Sequence, residues 1–252
     1  MRTRHPAVHI HQQGAEGEMI AVEGLKVSYG EVEVLKGLDL SLGPGLHLLL
    51  GRNGSGKTTL LKAIAGLLKP SRGRVLVMGR DVNRISRREA VKLVGYAWQN
   101  PYAGFVEATV ADELEFTSKV LGVELKREIV DLLVPRHLLD RNPFTLSGGE
   151  AKRVSIASVL AVDQPVWLLD EPFDYMDCEG VKSLVKVINY GVERGKAVVV
   201  ASASTSYTHM LKVSRIVVLS DGAIAFEGPP SDLSDDVLER AGVPTRVILC
   251  GS

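Results

Sequence analysis

Nearly continuous apolar runs alternate with segments of helical periodicity along the second half of the chain. The apolar runs at 166–170, 196–201 and 215–219 predict strands buried on both faces of a parallel sheet, joined by right-handed helical crossovers. Residues 19–50 instead alternate β-branched with polar positions, which is typical of antiparallel strands. The pattern predicts an α/β fold with an antiparallel β-subdomain ahead of a parallel-sheet core.

The middle of the chain changes to helical spacing. Between 100 and 147 apolar residues recur at helical intervals, and Pro135 and Pro143 interrupt them. We therefore expect a helical subdomain inserted at about 100–160 within a single domain spanning 19–252.

Composition is consistent with a well-buried globular domain outside any membrane. The chain has 252 residues, 45% of them hydrophobic, which is enough for one large core. Thirty basic and thirty acidic residues cancel, so no global field favours nucleic acid or an anionic membrane surface. No apolar run approaches the roughly 18 residues of a membrane span. We expect a cytoplasmic protein.

The chain ends and the cysteines carry little chemistry. Residues 1–18 lack the apolar core of a signal peptide and predict a disordered segment. Their histidines at 5, 9 and 11 leave a weak metal site as the alternative. Cys178 and Cys250 lie far apart in the sequence, so we expect no disulfide scaffold and a reducing compartment.

Residues 51–58 form a P-loop motif between an apolar strand and a helical segment. Its glycines let backbone N–H groups wrap nucleotide phosphates at the start of a helix. Lys57 is expected to reach the β- and γ-phosphates, and the Thr58 hydroxyl to bind Mg²⁺. The predicted nucleotide-binding residues of this segment are Gly51, Asn53, Gly54, Ser55, Gly56, Lys57, Thr58 and Thr59. The sequence thus predicts an ATP site in a P-loop NTPase core.

Two adjacent acids follow the apolar run at 166–169. Asp170 ends the predicted strand at its carboxyl edge, where open α/β sheets bind ligands, and is expected to partner the magnesium ion. Glu171 is expected to project toward the γ-phosphate and to orient the attacking water. The alternative for Glu171 is an acid that faces solvent at the end of the strand.

The segment Leu146-Ser-Gly-Gly-Glu150 resembles the signature motif of the ATP-binding-cassette (ABC) family. Ser147, Gly148 and Gly149 precede a helical stretch, so their amides and the helix dipole form an anion site. The alternative is an ordinary serine N-cap. The resemblance implies a head-to-tail dimer, in which the signature motif of one subunit caps the nucleotide held by the P-loop of the other. It implies a homodimer or a heterodimer with a second ABC ATPase.

The same resemblance, over roughly 20–230, assigns further roles. Tyr29 lies where the family places an aromatic that stacks on adenine, with an ordinary edge-strand tyrosine as the alternative. Gln99 matches the glutamine that contacts magnesium and water, and Asp177 matches the end of the D-loop at the dimer interface. Asp174 and Tyr175 are less usual in that loop.

The histidine that normally follows the third apolar run in this family is missing. Ala203, or Ser204 with a one-residue shift, stands in its place, and His209 follows too late to replace it without an unusual loop. Losing a group that contacts the γ-phosphate weakens transition-state stabilisation. We therefore expect an ATPase with reduced activity.

The segment from Gln99-Asn-Pro to Phe116 resembles ATPase subunits of energy-coupling-factor importers. The resemblance implies uptake of vitamins, cobalt or nickel, an integral membrane transporter as partner, and peripheral attachment to the inner face of the cell membrane. Residues 102–105 are then expected to line the groove for that partner, with ordinary surface as the alternative. Two other functions stay open: a degenerate cassette acting as a regulatory or heterodimer half, and a DNA-maintenance ATPase. DNA-maintenance ATPases of this kind carry a long coiled coil between the P-loop and the signature motif, and this sequence has no sustained heptads there.

Overall fold

The computed structural model describes residues 17–245 and residue 250. Its strands are β1 (Ile20–Tyr29), β2 (Val32–Leu42), β3 (Gly45–Leu50), β4 (Arg72–Val77), β5 (Arg80–Asp81), β6 (Val94–Ala97), β7 (Val166–Asp170), β8 (Ala197–Ser202), β9 (Arg215–Ser220) and β10 (Ala223–Gly228). Its α-helices are α1 (Lys57–Ile64), α2 (Arg87–Leu93), α3 (Val110–Leu121), α4 (Arg127–Leu133), α5 (Gly148–Leu160), α6 (Cys178–Glu193) and α7 (Asp235–Arg240). The predicted disorder and histidines at 1–16 lie outside the described residues.

The larger sheet has six strands in the order β10-β9-β3-β8-β7-β6. Strands β9, β3, β8, β7 and β6 pair in parallel, and β10 closes the edge antiparallel to β9. The central strands are buried on both faces, which is why they read as uninterrupted apolar runs. In β3, Leu48 pairs with Val200 on one side and Ile216 on the other. The predicted α/β fold with a parallel-sheet core is confirmed.

A second, antiparallel sheet is formed by β2-β1-β4-β5. Side chains on one of its faces, among them Leu25, Val27 and Val75, pack with α1 and one face of the larger sheet into a single apolar core. The alternation of buried and exposed positions in β2 follows from this one-sided burial. The predicted antiparallel sheet is therefore present.

The opposite face of the larger sheet is covered by α3, α4, α5 and α6. Trp167 and Leu169 of β7 belong to this second apolar core, together with Val154 of α5 and Leu184 of α6. Short 3₁₀ turns at Pro101–Gly104, Arg136–Leu138 and Pro143–Thr145 connect the helices. Within the described part of the chain, no helix has the length and apolar character needed to cross a bilayer.

The expectation for the cysteines was wrong. Cys178, the first residue of α6, forms a disulfide with Cys250 near the chain end, across a sequence separation of 72 residues. Distance along the chain does not predict distance in space, because the segment after α7 returns to the carboxyl edge of the sheet, where Thr205 donates a hydrogen bond to the carbonyl of Pro244 (3.3 Å). The bond ties that segment to the start of α6.

Candidate functional site

The loop between β3 and α1 turns sharply at the carboxyl edge of the larger sheet. Gly56 adopts φ 107° as the N-cap of α1, and Gly54 adopts φ 81°, both in the left-handed region that favours glycine. A Cβ at Gly56 would also lie 2.7 Å from Leu35 Cδ2. The glycines are therefore required for this turn, which brings the loop to the N-terminus of a helix, where backbone N–H groups favour anions.

An open cavity of about 370 Å³ lies against this loop. It brings together residues from the P-loop, β2, the end of β7 and the segment after β6: Val34, Asn53, Gly54, Gly56, Lys57, Thr58, Thr59, Gln99 and Glu171. Of the other residues predicted to bind nucleotide, Ser55 is buried beneath the loop, and Tyr29, half exposed at the end of β1, does not line the cavity. Val34 is a lining residue that sequence reasoning missed.

Lys57 and Glu171 form a buried ion pair, with Nζ 3.3 Å from Oε1. The Lys57 ammonium also donates to the carbonyl of Gly51 at 2.7 Å. Burial raises the pKa of Glu171, and the positive charge of Lys57 partly opposes that shift. A phosphate entering the cavity would compete with Glu171 for the ammonium, because both are anions at one cation.

The second oxygen of Glu171 accepts a hydrogen bond from the backbone N–H of Ala203 at 3.1 Å. Ala203 follows the end of β8 directly and is, with Ser204, one of the two positions where the ABC resemblance expects a histidine. Here the main chain, rather than an imidazole, contacts the acid. His209 is exposed in a 3₁₀ turn at Thr208–Met210 and does not line the cavity.

Asp170 ends β7 with its side chain almost fully buried (1% exposed). Its Oδ2 accepts a hydrogen bond from the hydroxyl of Tyr96 at 3.0 Å, and its Oδ1 has no hydrogen-bond partner among the described residues. Oxygen donors from Asp170, the Thr58 hydroxyl and the Gln99 amide suit a hard cation such as Mg²⁺. The site therefore fits the metal. The role of Tyr96 carries no sequence signal, since a tyrosine in an apolar strand is usually a packing residue.

Ser147 is the N-cap of α5 and forms a capping box with Glu150, whose carboxylate accepts from the Ser147 amide at 2.8 Å. Gly148 and Gly149 pack against Tyr175, and a Cβ at Gly149 would lie 2.8 Å from the Tyr175 carbonyl oxygen. Gly148 and Tyr175 line a separate cavity of about 360 Å³, which they share with Gln99. Within one chain the signature motif and the P-loop thus line different cavities.

Comparisons with known proteins identify one family. A family model described as "ABC transporter" matches residues 35–174. An ABC transporter ATP-binding protein of Pyrococcus furiosus is 38% identical over 242 residues, covering 92% of each chain. The energy-coupling factor transporter ATP-binding protein EcfA1 of Fusobacterium nucleatum is 35% identical over 226 residues, covering 86% of this chain and 85% of its own.

The solved structure of CbiO1 from Clostridium perfringens, described as part of the ABC transporter complex cbiONQ, superposes with a TM-score of 0.72 and 25% identity. The match covers 89% of this chain and 94% of CbiO1. The family predicted from the P-loop and the signature motif is confirmed. This chain belongs to the ABC transporter family as one of its ATPase domains.

Proposed function

We propose that this chain binds and hydrolyses ATP to energise a membrane transporter of the energy-coupling-factor type. The observation that carries the proposal is the meeting of Lys57, Gln99 and Glu171 around one cavity at the N-terminus of α1. In an ABC ATPase, this arrangement supplies a cation for the phosphates, an amide for the metal and water, and a carboxylate for the nucleophile. ATP and Mg²⁺ are the proposed cofactors.

The proposed mechanism is in-line attack of water on the γ-phosphate. Lys57 leaves its ion pair with Glu171 for the phosphate oxygens, which frees the carboxylate to orient the water. Thr58, Gln99 and Asp170 would hold Mg²⁺, which neutralises phosphate charge when bound. The partner subunit is proposed to cap the nucleotide with Ser147 and Gly149, and Tyr29 to stack on the adenine once both are in place.

Reduced turnover is part of the proposal. Ala203 offers only its backbone N–H at the acid, so nothing at this position reaches the γ-phosphate with a side chain. The Ala203→His variant is expected to raise the rate of ATP hydrolysis, and Ser204→His, one residue away, serves as the control for register. Faster turnover by Ser204→His alone would place the missing histidine at the other position, and no gain in either variant would contradict the expectation.

The basic experiment measures Mg-ATP hydrolysis by the purified chain over a range of protein concentrations, with ATP binding measured separately. Lys57→Ala is the blank. A rate that rises with the square of concentration supports a homodimer, whereas binding without turnover supports a degenerate or heterodimer half. Glu171→Gln is expected to trap an ATP-bound dimer, and failure to trap one in a chain that dimerises would contradict the role of Glu171. Absence of ATP binding would contradict the function as a whole.

The proposed partner is an integral membrane subunit, with the chain on the cytoplasmic face. Both aromatic residues expected to line the groove make contacts within the chain. Phe105 is buried, and the Tyr102 hydroxyl donates a hydrogen bond to the Leu146 carbonyl at 2.9 Å. Phe144 packs edge-on against Phe105, with ring centroids 5.9 Å apart, and stays 55% exposed. We expect Phe144→Ser to weaken co-purification with the membrane subunit.

Met78→Ser is the matched control for this test, because Met78 is similarly exposed (47%) and lies in the turn between β4 and β5, within the antiparallel subdomain. Equal loss of co-purification in both variants, or none in Phe144→Ser, would remove the docking assignment. A DNA-maintenance role has less support, since the longest helix between residues 58 and 146 is α3, with 12 residues.

A further inference from the structure

Lys152 is a lysine buried completely within α5, the helix that starts at the signature glycines. Its side chain is 0% exposed. Its ammonium donates hydrogen bonds to the carbonyl oxygens of Trp98 (3.0 Å), Gln99 (2.9 Å) and Asp170 (3.2 Å). None of these acceptors belongs to α5, so one side chain joins the helix both to the segment at Gln99 and to the end of β7.

A lysine is an unfavourable choice for packing alone at this depth. Removing an ammonium from water is costly, and an apolar side chain of similar volume often replaces a buried charge without loss of stability. Burial lowers the pKa of Lys152 to about 8, while the negative charges of Asp174, Asp170 and Glu171 oppose that shift. The surroundings thus supply three carbonyl acceptors and nearby carboxylates for one cation.

The segments that carry the three acceptor carbonyls all lie at the proposed nucleotide site. Gln99 and Glu171 line the nucleotide cavity, Asp170 immediately precedes Glu171, and Gly148 at the start of α5 lines the neighbouring cavity that also contains Gln99. Groups at a reacting phosphate must be held to well within 1 Å, since small misplacements cost large factors in rate. Because the Lys152 ammonium is hydrogen-bonded to both segments, a movement of α5 would also move Gln99 and the end of β7.

We propose that Lys152 is a positioning residue for ATP hydrolysis, which holds the signature helix, Gln99 and the end of β7 in one fixed relation. The inference rests on the proposed ATPase function. It assigns no contact between Lys152 and the nucleotide. The three N–H donors of the Lys152 ammonium match the three carbonyl acceptors. Replacement by arginine would keep the charge and the donors, whereas replacement by methionine would keep only the length of the side chain.

The chain provides a matched control in Lys196. Lys196 is also buried (7% exposed) and donates to the carbonyls of Asp163 and Gln164, both at 2.9 Å. It lies immediately before β8 begins, at the end of the sheet away from the site. Lys152→Met, Lys152→Arg and Lys196→Met are compared with the parent in single-turnover hydrolysis of radiolabelled Mg-ATP, in ATP binding and in urea unfolding. The single-turnover format resolves slow hydrolysis.

We expect Lys152→Met to hydrolyse bound ATP about 10- to 100-fold more slowly while its Kd for ATP changes less than about 3-fold, because positioning rather than binding is lost. Lys152→Arg is expected to recover most of the rate. Lys196→Met is expected to lose stability without losing rate per folded molecule. A rate in Lys152→Met equal to that of the parent, or an equal loss in Lys196→Met, would overturn the inference.

Two further measurements cover the remaining outcomes. Should Lys152→Met not fold, Lys152→Gln, which keeps two donors without the charge, takes its place with the same expected loss. Trp98 fluorescence, recorded with Trp167 replaced by Phe, is expected to change when ATP binds the parent and to change less in the Lys152 variants, and an unaltered response would also overturn the inference. A parent that binds no ATP would instead contradict the proposed function.

Discussion

The hydroxyl of Tyr96 supports the carboxylate that ends β7, and removing it offers a direct test of the site's energetics. Tyr96 lies in β6, beside β7, and donates to Asp170 Oδ2 at 3.0 Å. Burial raises the pKa of Tyr96, and the neighbouring charge of Asp170 raises it further, so the phenol remains a donor throughout the neutral range. Tyr96→Phe leaves Asp170 buried without this donor.

The expected magnitude follows from the type of bond. A buried hydrogen bond to a charged group contributes about 1.5–3 kcal/mol. Phenylalanine retains the edge-on contact with Trp98, whose ring centroid lies 4.8 Å from that of Tyr96, so little packing energy is lost. We therefore expect Tyr96→Phe to lower the free energy of unfolding by about 1.5–3 kcal/mol.

Tyr102→Phe is the matched control. The Tyr102 hydroxyl donates to a neutral acceptor, the carbonyl of Leu146, at 2.9 Å in a partly buried position. Its removal should cost about 0.5–1.5 kcal/mol. Urea unfolding of both variants and the parent, with unchanged m-values, measures the difference. A loss in Tyr96→Phe no larger than that in Tyr102→Phe would refute the claim that Tyr96 stabilises a buried charge.

Three other perturbations are expected to act on stability. Gly191→Ala should lower the free energy of unfolding by about 1–3 kcal/mol, because a Cβ there would lie 2.8 Å from Trp167 Cε3; thermal unfolding with no drop in Tm would contradict this. Burial lowers the pKa of His47 from its ordinary value near 6.5, so at acidic pH the unfolded chain binds more protons than the folded chain. The free energy of unfolding should therefore fall as pH drops below about 6.5, by up to about 1.4 kcal/mol per pH unit. His47→Gln should lose that pH dependence when urea unfolding is measured across this range. Cys250→Ser should lower stability by about 2–4 kcal/mol under oxidising conditions and leave the value in reductant unchanged, whereas equal losses in both would indicate a packing effect.

The P-loop and the acids after β7 could be placed from sequence because their chemistry is local. Lys57 is the first residue of α1, and the glycines immediately before it determine the turn that leads into this helix. Asp170 and Glu171 follow a strand whose apolar run already identified it as central. Parallel strands end at the same edge, so the meeting of Lys57 with Glu171 was a consequence of topology.

Other contacts join segments far apart in the chain, and nothing local indicates them. The Tyr96 hydroxyl at Asp170, the Ala203 amide at Glu171 and the disulfide at Cys178 depend on how whole strands and helices pack. A lysine within a helical segment carries no sequence signal for burial, yet Lys152 is enclosed because α5 is buried on most of its sides. Each of these side chains is ordinary in sequence and acquires its role only from its neighbours in space.

The amino-acid sequence by itself determined the sheet architecture and the turn at the P-loop, because apolar periodicity and glycine-dependent turns act over a few residues. Its P-loop and signature motif carried the resemblance that identified the family and the candidate site residues. The tertiary structure decided which groups hold those residues in place: a tyrosine for Asp170, a backbone amide for Glu171 and a buried lysine for the signature helix. Hydrogen bonds and burial depend on distances in space, and such distances between remote segments exist only once the chain has folded.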